Sequence, residues 1–197
     1  MTAIATRPMP TPVDVDEVER ELTDEEIDYR LEADVGLEYI GGKFVEKGMG
    51  SESAEVGVNV TVEVAKLKRQ GFAVYDQSLN YRCFPESTRD RRRPDLSVIR
   101  RDRLAEAGLV GDVGIMTIPA DVAVEVVSQT DKAADLQTKV QEYLTAEFKQ
   151  VWVLYPQTKS VHIFRIDGTI DRLTTGDTLE AGDVLDGFEV AVATLFD

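Results

Sequence analysis

The sequence predicts an α/β (α+β) fold, a mixed β-sheet flanked by a small number of helices. Three observations carry this expectation. A strand-like apolar run at 121–128 is followed by a helical stretch at 130–148, then by strands at 150–155 and 160–166. A separate β-rich segment, Arg93-Pro94-Asp95-Leu96-Ser97-Val98-Ile99-Arg100, lies upstream. The 197 residues, 43% hydrophobic and 30% charged, fit one domain with enough interior for a good core.

Residues 1–20, rich in proline and acid, read as a flexible arm, which leaves 21–197 as a single domain. Thr23 followed by Asp24, Glu25 and Glu26 is an N-cap with acids in the first turn, predicting a short helix to about Leu31. Leu37 to Val45 reads as two short strands around Gly41-Gly42, and Met49-Gly50-Ser51 as a linker. The stretch 52–70 carries two signals. Val56, Val58, Val60, Val62 and Val64 alternate as in a strand, whereas the length and the lysine-rich end before Gly71 suit a helix with a glycine C-cap. A helix is expected here, the family resemblance given below deciding between the two.

Downstream, 72–83 is expected as one strand, 84–93 as a polar loop, and 94–100 as a strand with Pro94 at its first position. Arg101 to Leu109 reads as a short helix or loop, 110–119 as a connector, and Leu179 to Phe196 as a closing hairpin. There are no internal repeats.

The net charge of −15 argues against broad nucleic-acid affinity, and its distribution is uneven. Residues 13–38 hold twelve acids against two arginines, a balance of −10, whereas 86–103 hold seven arginines against four acids, a balance of +3. The only basic patch therefore lies beside Asp95. The one histidine, His162, excludes zinc sites built on several histidines and sits in an alternating strand. The one cysteine, Cys83, forms no internal disulfide and suits a reducing, cytoplasmic setting. No apolar run approaches the roughly 20 residues that cross a bilayer, and no secretory leader is expected.

Asp95 heads one strand, and Glu125 stands alone among Val124, Val126 and other apolar neighbours. A buried carboxylate needs compensation. Two on neighbouring strands suggest a divalent metal site of hard oxygen ligands, Mg²⁺ or Mn²⁺, with the Val126 carbonyl as a further candidate ligand. Glu38, between Leu37 and Tyr39, is a third candidate acid. Lys139 borders the apolar stripe of Leu136, Val140, Tyr143 and Leu144, from where its stem could reach the sheet. Singly, each has a plain structural explanation: a turn-capping Asp95, an outward-facing Glu125, a Lys139 paired with Asp135, a solvated Arg91-Arg92-Arg93 run. Together they support metal-assisted phosphoryl chemistry.

The order Pro94-Asp95, Glu125-Val126-Val127-Ser128, Asp135-Leu136 with Lys139 and Tyr143, then Gln150-Val151-Trp152-Val153-Leu154-Tyr155-Pro156, resembles the Uma-two family of the PD-(D/E)XK restriction-endonuclease-like superfamily. Leu37-Glu38-Tyr39-Ile40-Gly41-Gly42-Lys43-Phe44 is similar to that family's opening, and Gly176 to Phe196 to its ending, so the resemblance covers roughly 22–197. It implies a restriction-endonuclease-like core with one metal-dependent nuclease site. Asp95 and Glu125 match the metal-binding acids, Glu38 the acid of the first helix–strand region, and Lys139 a lysine carried on the following helix. It also implies homodimerisation through the β-rich C-terminal region. Three positions depart from the pattern: Val127 stands where the superfamily's strand motif has lysine, Ser53 where relatives often carry histidine, and Gly41 where they often have aspartate.

The expected function is hydrolysis of DNA phosphodiester bonds by metal-activated water. Two alternatives stay open: a catalytically silent nuclease-fold binding module, which the −15 charge and Ser53 favour, and a phosphodiesterase acting on RNA or a small nucleotide.

Overall fold

Thr23 opens the first helix, α1 (Asp24–Ala33), through a capping box: its Oγ1 accepts the Glu26 amide while Glu26 accepts the Thr23 amide. The computed structural model describes residues 21–34, 36–48, 50–111 and 114–197, so the arm expected over 1–20 lies outside the described residues. Ile27 and Leu31 of α1 bury against the hairpin β1 (Leu37–Ile40) and β2 (Lys43–Glu46). Gly41 and Gly42 turn that hairpin at φ +55° and +84°, the doubly positive conformation that glycine adopts without steric cost.

Helix α2 (Ser51–Val64), continued by a 3₁₀ segment Ala65–Gln70 and closed by Gly71 in the left-handed region, resolves the double signal of the valine run. Val56, Val60 and Val64 recur every four residues and are buried, while Val58 and Val62 are exposed at 62% and 58%. Strict alternation therefore coincided with helical spacing at every second valine.

The expected single strand at 72–83 is two strands, β3 (Phe72–Asp76) and β4 (Asn80–Tyr81). The break has a local cause, since Asp76 Oδ1 accepts the Ser78 amide at 3.2 Å and closes a turn that extended pairing cannot cross. Then come β5 (Leu96–Arg100), α3 (Arg101–Glu106), β6 (Ile115–Met116), β7 (Val122–Val126), α4 (Ala133–Thr145), β8 (Gln150–Tyr155), β9 (Ser160–Arg165), β10 (Ile170–Thr174), β11 (Thr178–Glu180) and β12 (Glu189–Ala191). The expected connector at 110–119 thus contains β6, which pairs with β4. The expected closing hairpin is the antiparallel pair β11–β12.

The main sheet runs β10-β9-β8-β7-β5-β3. Its pairs are antiparallel except β7–β8, which α4 joins as a parallel crossover. Side chains alternate across this sheet. Val122, Val124 and Val126 face α2 and the C-terminal residues, together with Leu96, Val98, Trp152 and Leu154. Ala123 faces the other way, toward Val140 and Tyr143 of α4. Glu125 has the parity of Ala123, so a strand buried on both faces aims its only acid at α4.

Candidate active site

The register of β5 on β7 pairs Leu96 with Val124, which sets Asp95 beside Glu125. The Asp95 amide donates to the Val124 carbonyl at 3.0 Å, and Asp95 Oδ2 accepts the Val126 amide at 2.7 Å. Both carboxylates are nearly inaccessible to solvent. Glu38 arrives from β1, which an isolated bridge between Tyr39 and Arg91 ties to the segment before Asp95. Lys139 arrives from α4, and its Nζ is ion-paired with Glu38 at 2.9 Å and donates to Glu125 at 3.2 Å. The structure therefore gathers Asp95, Glu125, Glu38 and Lys139 at one place.

Four partners that the sequence reading did not assign to the site complete it. Lys47, just past β2, donates to Asp95 Oδ1 at 2.8 Å, Glu125 Oε2 at 3.1 Å and the Arg93 carbonyl at 2.6 Å. Gln77 Nε2 donates to Asp95 Oδ1 at 3.0 Å from the turn that interrupts β3 and β4. Tyr143, one turn beyond Lys139, donates its hydroxyl to Glu125 Oε1 at 2.9 Å. Arg92 pairs with Glu38 at 3.3 Å and with Glu142 at 2.6 Å. Val126 enters through its amide.

Two of these signals were legible. A two-residue Gly41-Gly42 turn fixes Glu38 opposite Val45, which sets Lys47 diagonally across the hairpin from Glu38 on the same face. Tyr143 likewise follows from the four-residue step after Lys139. Gln77 had no signal, because its position depends on a turn between strands that the sequence reads as continuous.

The electrostatics follow from this geometry. Burial works against charge on Glu38, yet Lys139, Lys47, Arg92 and the Arg93 amide outweigh it and hold its carboxyl down to about 2. Burial raises Glu125 above the ordinary carboxylate value, with Asp95 and Glu38 adding to the rise and Lys139 and Lys47 opposing it. Burial also disfavours charge on Lys47, but Glu125, Asp95 and Glu38 raise its pKa above the usual lysine range and keep it an ammonium. Burial and the Glu125 charge push the Tyr143 hydroxyl well up, so it stays a neutral donor.

The expected basic patch takes a different form. Arg91 is buried on Asp24 and Asp28 at 3.1 and 2.7 Å, Arg93 donates to the Leu31 carbonyl at 2.7 Å, and Arg92 is held by Glu38 and Glu142. The acidic segment has folded onto the arginine run. The arginines thus anchor α1 and β1 rather than forming a solvated run, because buried guanidinium groups must be paired.

Ser53, on α2, donates to the Val127 carbonyl at 3.2 Å. The expected lysine position, Val127, packs partly buried against the α4 face of the core. Among the described residues, no group of three or more His, Cys, Asp or Glu side chains is disposed to hold a metal ion. His162 lies two strands from Glu125 in the β7–β8–β9 register, its ring 4.6 Å from that of Tyr155.

The model of the Uma2 family, described as "Putative restriction endonuclease", matches residues 24–193. The chain belongs to the Uma2 family. Among solved structures, it resembles a protein from Anabaena variabilis ATCC 29413, described as a putative nuclease belonging to DUF820. The two share 18% identity over 81% of this chain and 89% of that one, with a TM-score of 0.67. At that identity the likeness concerns the fold, which is restriction-endonuclease-like. No curated protein matches the chain. Among the described residues, no helix is long and apolar enough to cross a membrane. The matched Uma2 span includes Glu38, Lys47, Asp95, Glu125 and Lys139, so the cluster lies within the family's domain.

Proposed function

We propose that this Uma2 chain is a Mg²⁺- or Mn²⁺-dependent endonuclease that hydrolyses DNA phosphodiester bonds. One observation carries the reading: Asp95 Oδ1, Glu125 Oε2 and the Arg93 carbonyl already converge on a single cation, the Lys47 ammonium. Two carboxylates and a carbonyl are the hard oxygen donors that such ions prefer, so the residues fit the group. Asp95 and Glu125 would hold it, with the Val126 carbonyl a further candidate ligand. The chemistry that a bound divalent ion supplies is a lowered pKa for water and neutralised charge on phosphate.

The chain's own groups do the rest. The Val126 amide and Gln77 fix the orientation of Asp95, and Tyr143 fixes Glu125. Lys139, clamped between Glu38 and Glu125, presents a cation that can orient the attacking water or hold a phosphate oxygen. It would supply the charge that Val127 cannot. Glu38 keeps Lys139 in place, and Lys139, Lys47 and Arg92 together keep Glu38 ionised.

The test is cleavage of supercoiled plasmid with Mg²⁺ or Mn²⁺ by wild type beside Asp95→Ala and Lys139→Ala. Nicking that disappears in both variants supports the reading. No nicking, or equal nicking in all three, overturns it and moves the reading to a binding module. A second reading, RNA or a small nucleotide as substrate, is favoured by the net charge of −15 and by the internal pairing of Arg91, Arg92 and Arg93. Cleavage of RNA but not plasmid would select it. The reading also includes a cytoplasmic location, which the lone Cys83 supports, and a homodimer, which light scattering would test.

A further inference from the structure

The ammonium of Lys47 has three oxygen partners from three separate groups, Asp95 Oδ1 at 2.8 Å, Glu125 Oε2 at 3.1 Å and the Arg93 carbonyl at 2.6 Å. These are the oxygens on which the metal reading relies. We propose that Lys47 is the resident cation of this site, and that its ammonium and a divalent ion occupy the position between Asp95 and Glu125 by turns. The inference rests on the metal-dependent reading above and adds a competition to it.

Two features single out Lys47 rather than Lys139. Lys139 bridges Glu38 and Glu125 and has no ion pair with Asp95, so withdrawing it would not release the Asp95–Glu125 pair. Lys47 is the only side chain ion-paired with both acids among the described residues. Its exit also requires little rearrangement. Its backbone amide is fixed to the Gly36 carbonyl at 2.7 Å, while its side chain, 15% exposed, already reaches solvent. A four-carbon stem can therefore swing outward while the hairpin stays in place.

Electrostatics makes the movement an exchange. Asp95 and Glu125 are 7% and 4% exposed and lie side by side, so withdrawing Lys47 strips Asp95 of its cation and leaves Glu125 with Lys139 alone, at a large desolvation and repulsion cost. With Lys47 seated the carboxylates are compensated, and with a divalent ion seated they are compensated again. The open state between them is disfavoured. The apparent affinity of the wild type for the ion is reduced because the site must first lose its own cation. This arrangement lets the protein fold around a buried acid pair before any ion is present.

The experiment is calorimetric titration of the full chain with Mn²⁺, comparing wild type, Lys47→Met and Asp95→Ala, with circular dichroism confirming that each is folded. Lys47→Met should bind Mn²⁺ at least tenfold more tightly than wild type, and Asp95→Ala should not bind. The melting temperature of Lys47→Met should fall below wild type without metal and recover with Mn²⁺. Binding by wild type that is as tight as, or tighter than, that of Lys47→Met overturns the exchange and leaves the metal reading standing. Absence of binding in both overturns both. A measurement on wild type alone guards against a variant that does not fold: reductive methylation read by mass spectrometry should label Lys47 several-fold faster with saturating Mg²⁺. Unchanged or slower labelling of Lys47 overturns the proposal.

Discussion

Strand β7 carries a buried acid at each end, and the two are built differently. Asp121, immediately before the strand, is fully buried; its Oδ2 accepts the Arg100 amide at 2.8 Å, and its Oδ1 is ion-paired with Arg103 at 2.9 Å and Lys149 at 2.6 Å. Here one acid meets two cations whose side chains are 26% and 41% exposed. Glu125, four residues on and of the same parity, shares its surroundings with Asp95 and Glu38, and the pairing cations Lys47 and Lys139 are largely buried. An acid with surplus cations at the surface is a staple, and nothing is gained by removing one. Several acids drawn together around buried cations store repulsion, which a fold keeps where the acids have a further use.

The largest expected difference between the two ends is in activity. Under the proposed function, Asp95→Ala should lower plasmid cleavage by at least about 10³-fold, the order expected for loss of an acid that would hold the metal. Asp121→Ala should leave the rate per folded molecule unchanged, with the folded fraction measured separately. Equal loss in both would erase the functional distinction.

Stability should rank them in the opposite order. Asp121→Ala leaves the Arg100 amide without its acceptor and strips a buried pair of one partner, which should cost about 3–4 kcal/mol in urea denaturation. Asp95→Asn removes a like charge from beside Glu125 and should change stability by about 1 kcal/mol or less. A greater cost for Asp95→Asn than for Asp121→Ala would mean that the Glu125 end is as purely structural as the other.

How much of this contrast was legible in the sequence depends on where the interactions come from. Asp95, Glu125, Glu38 and Lys139 lie on separate segments, and the pattern of apolar runs and family motifs was enough to single out these residues, which the fold brings together. The periodicity of the valine run favoured a strand, and only the family resemblance pointed to the helix that α2 is, because a four-residue repeat satisfies both periods. The arginine run misled, since local counting sees Arg91, Arg92 and Arg93 as free charge. Their partners Asp24, Asp28, Glu38 and Glu142 are supplied by tertiary folding. Lys47 was within reach of hairpin register, whereas Asp121 carried no motif and Gln77 depended on an unread turn.

Acid titration sharpens the comparison further. The Glu38 carboxyl falls from the ordinary value of 4.5 to about 2 in the folded protein. A depressed carboxyl contributes stability that is complete above about 4.5 and is lost as pH falls toward 2. Glu125 is raised instead, so it binds its proton more readily when folded and adds relative stability as pH falls. Glu38→Gln removes the first contribution and keeps the second. Its stability between pH 4.5 and 2 should therefore decline less steeply than that of wild type, by at most about 3 kcal/mol over the window. Parallel acid limbs would show that Glu38 titrates alike in both states.

The smallest expected effect concerns Tyr143, which joins the site to the core. Its ring packs 4.8 Å from Phe148 on the α4 side of the sheet while its hydroxyl donates to Glu125 Oε1. Tyr143→Phe keeps the ring and removes the donor. Glu125 would then rely on Lys47 and Lys139, both of which reach Oε2, so Oε1 alone is left unsatisfied. The variant should lose about 1–2 kcal/mol in urea denaturation. It should also raise the Glu125 pKa further, since a hydrogen bond to the charged form has gone. The reporter is the ¹³C carboxyl shift of Glu125 followed against pH in wild type and Tyr143→Phe. A midpoint unmoved by the substitution would mean that Tyr143 serves the packing of α4 alone.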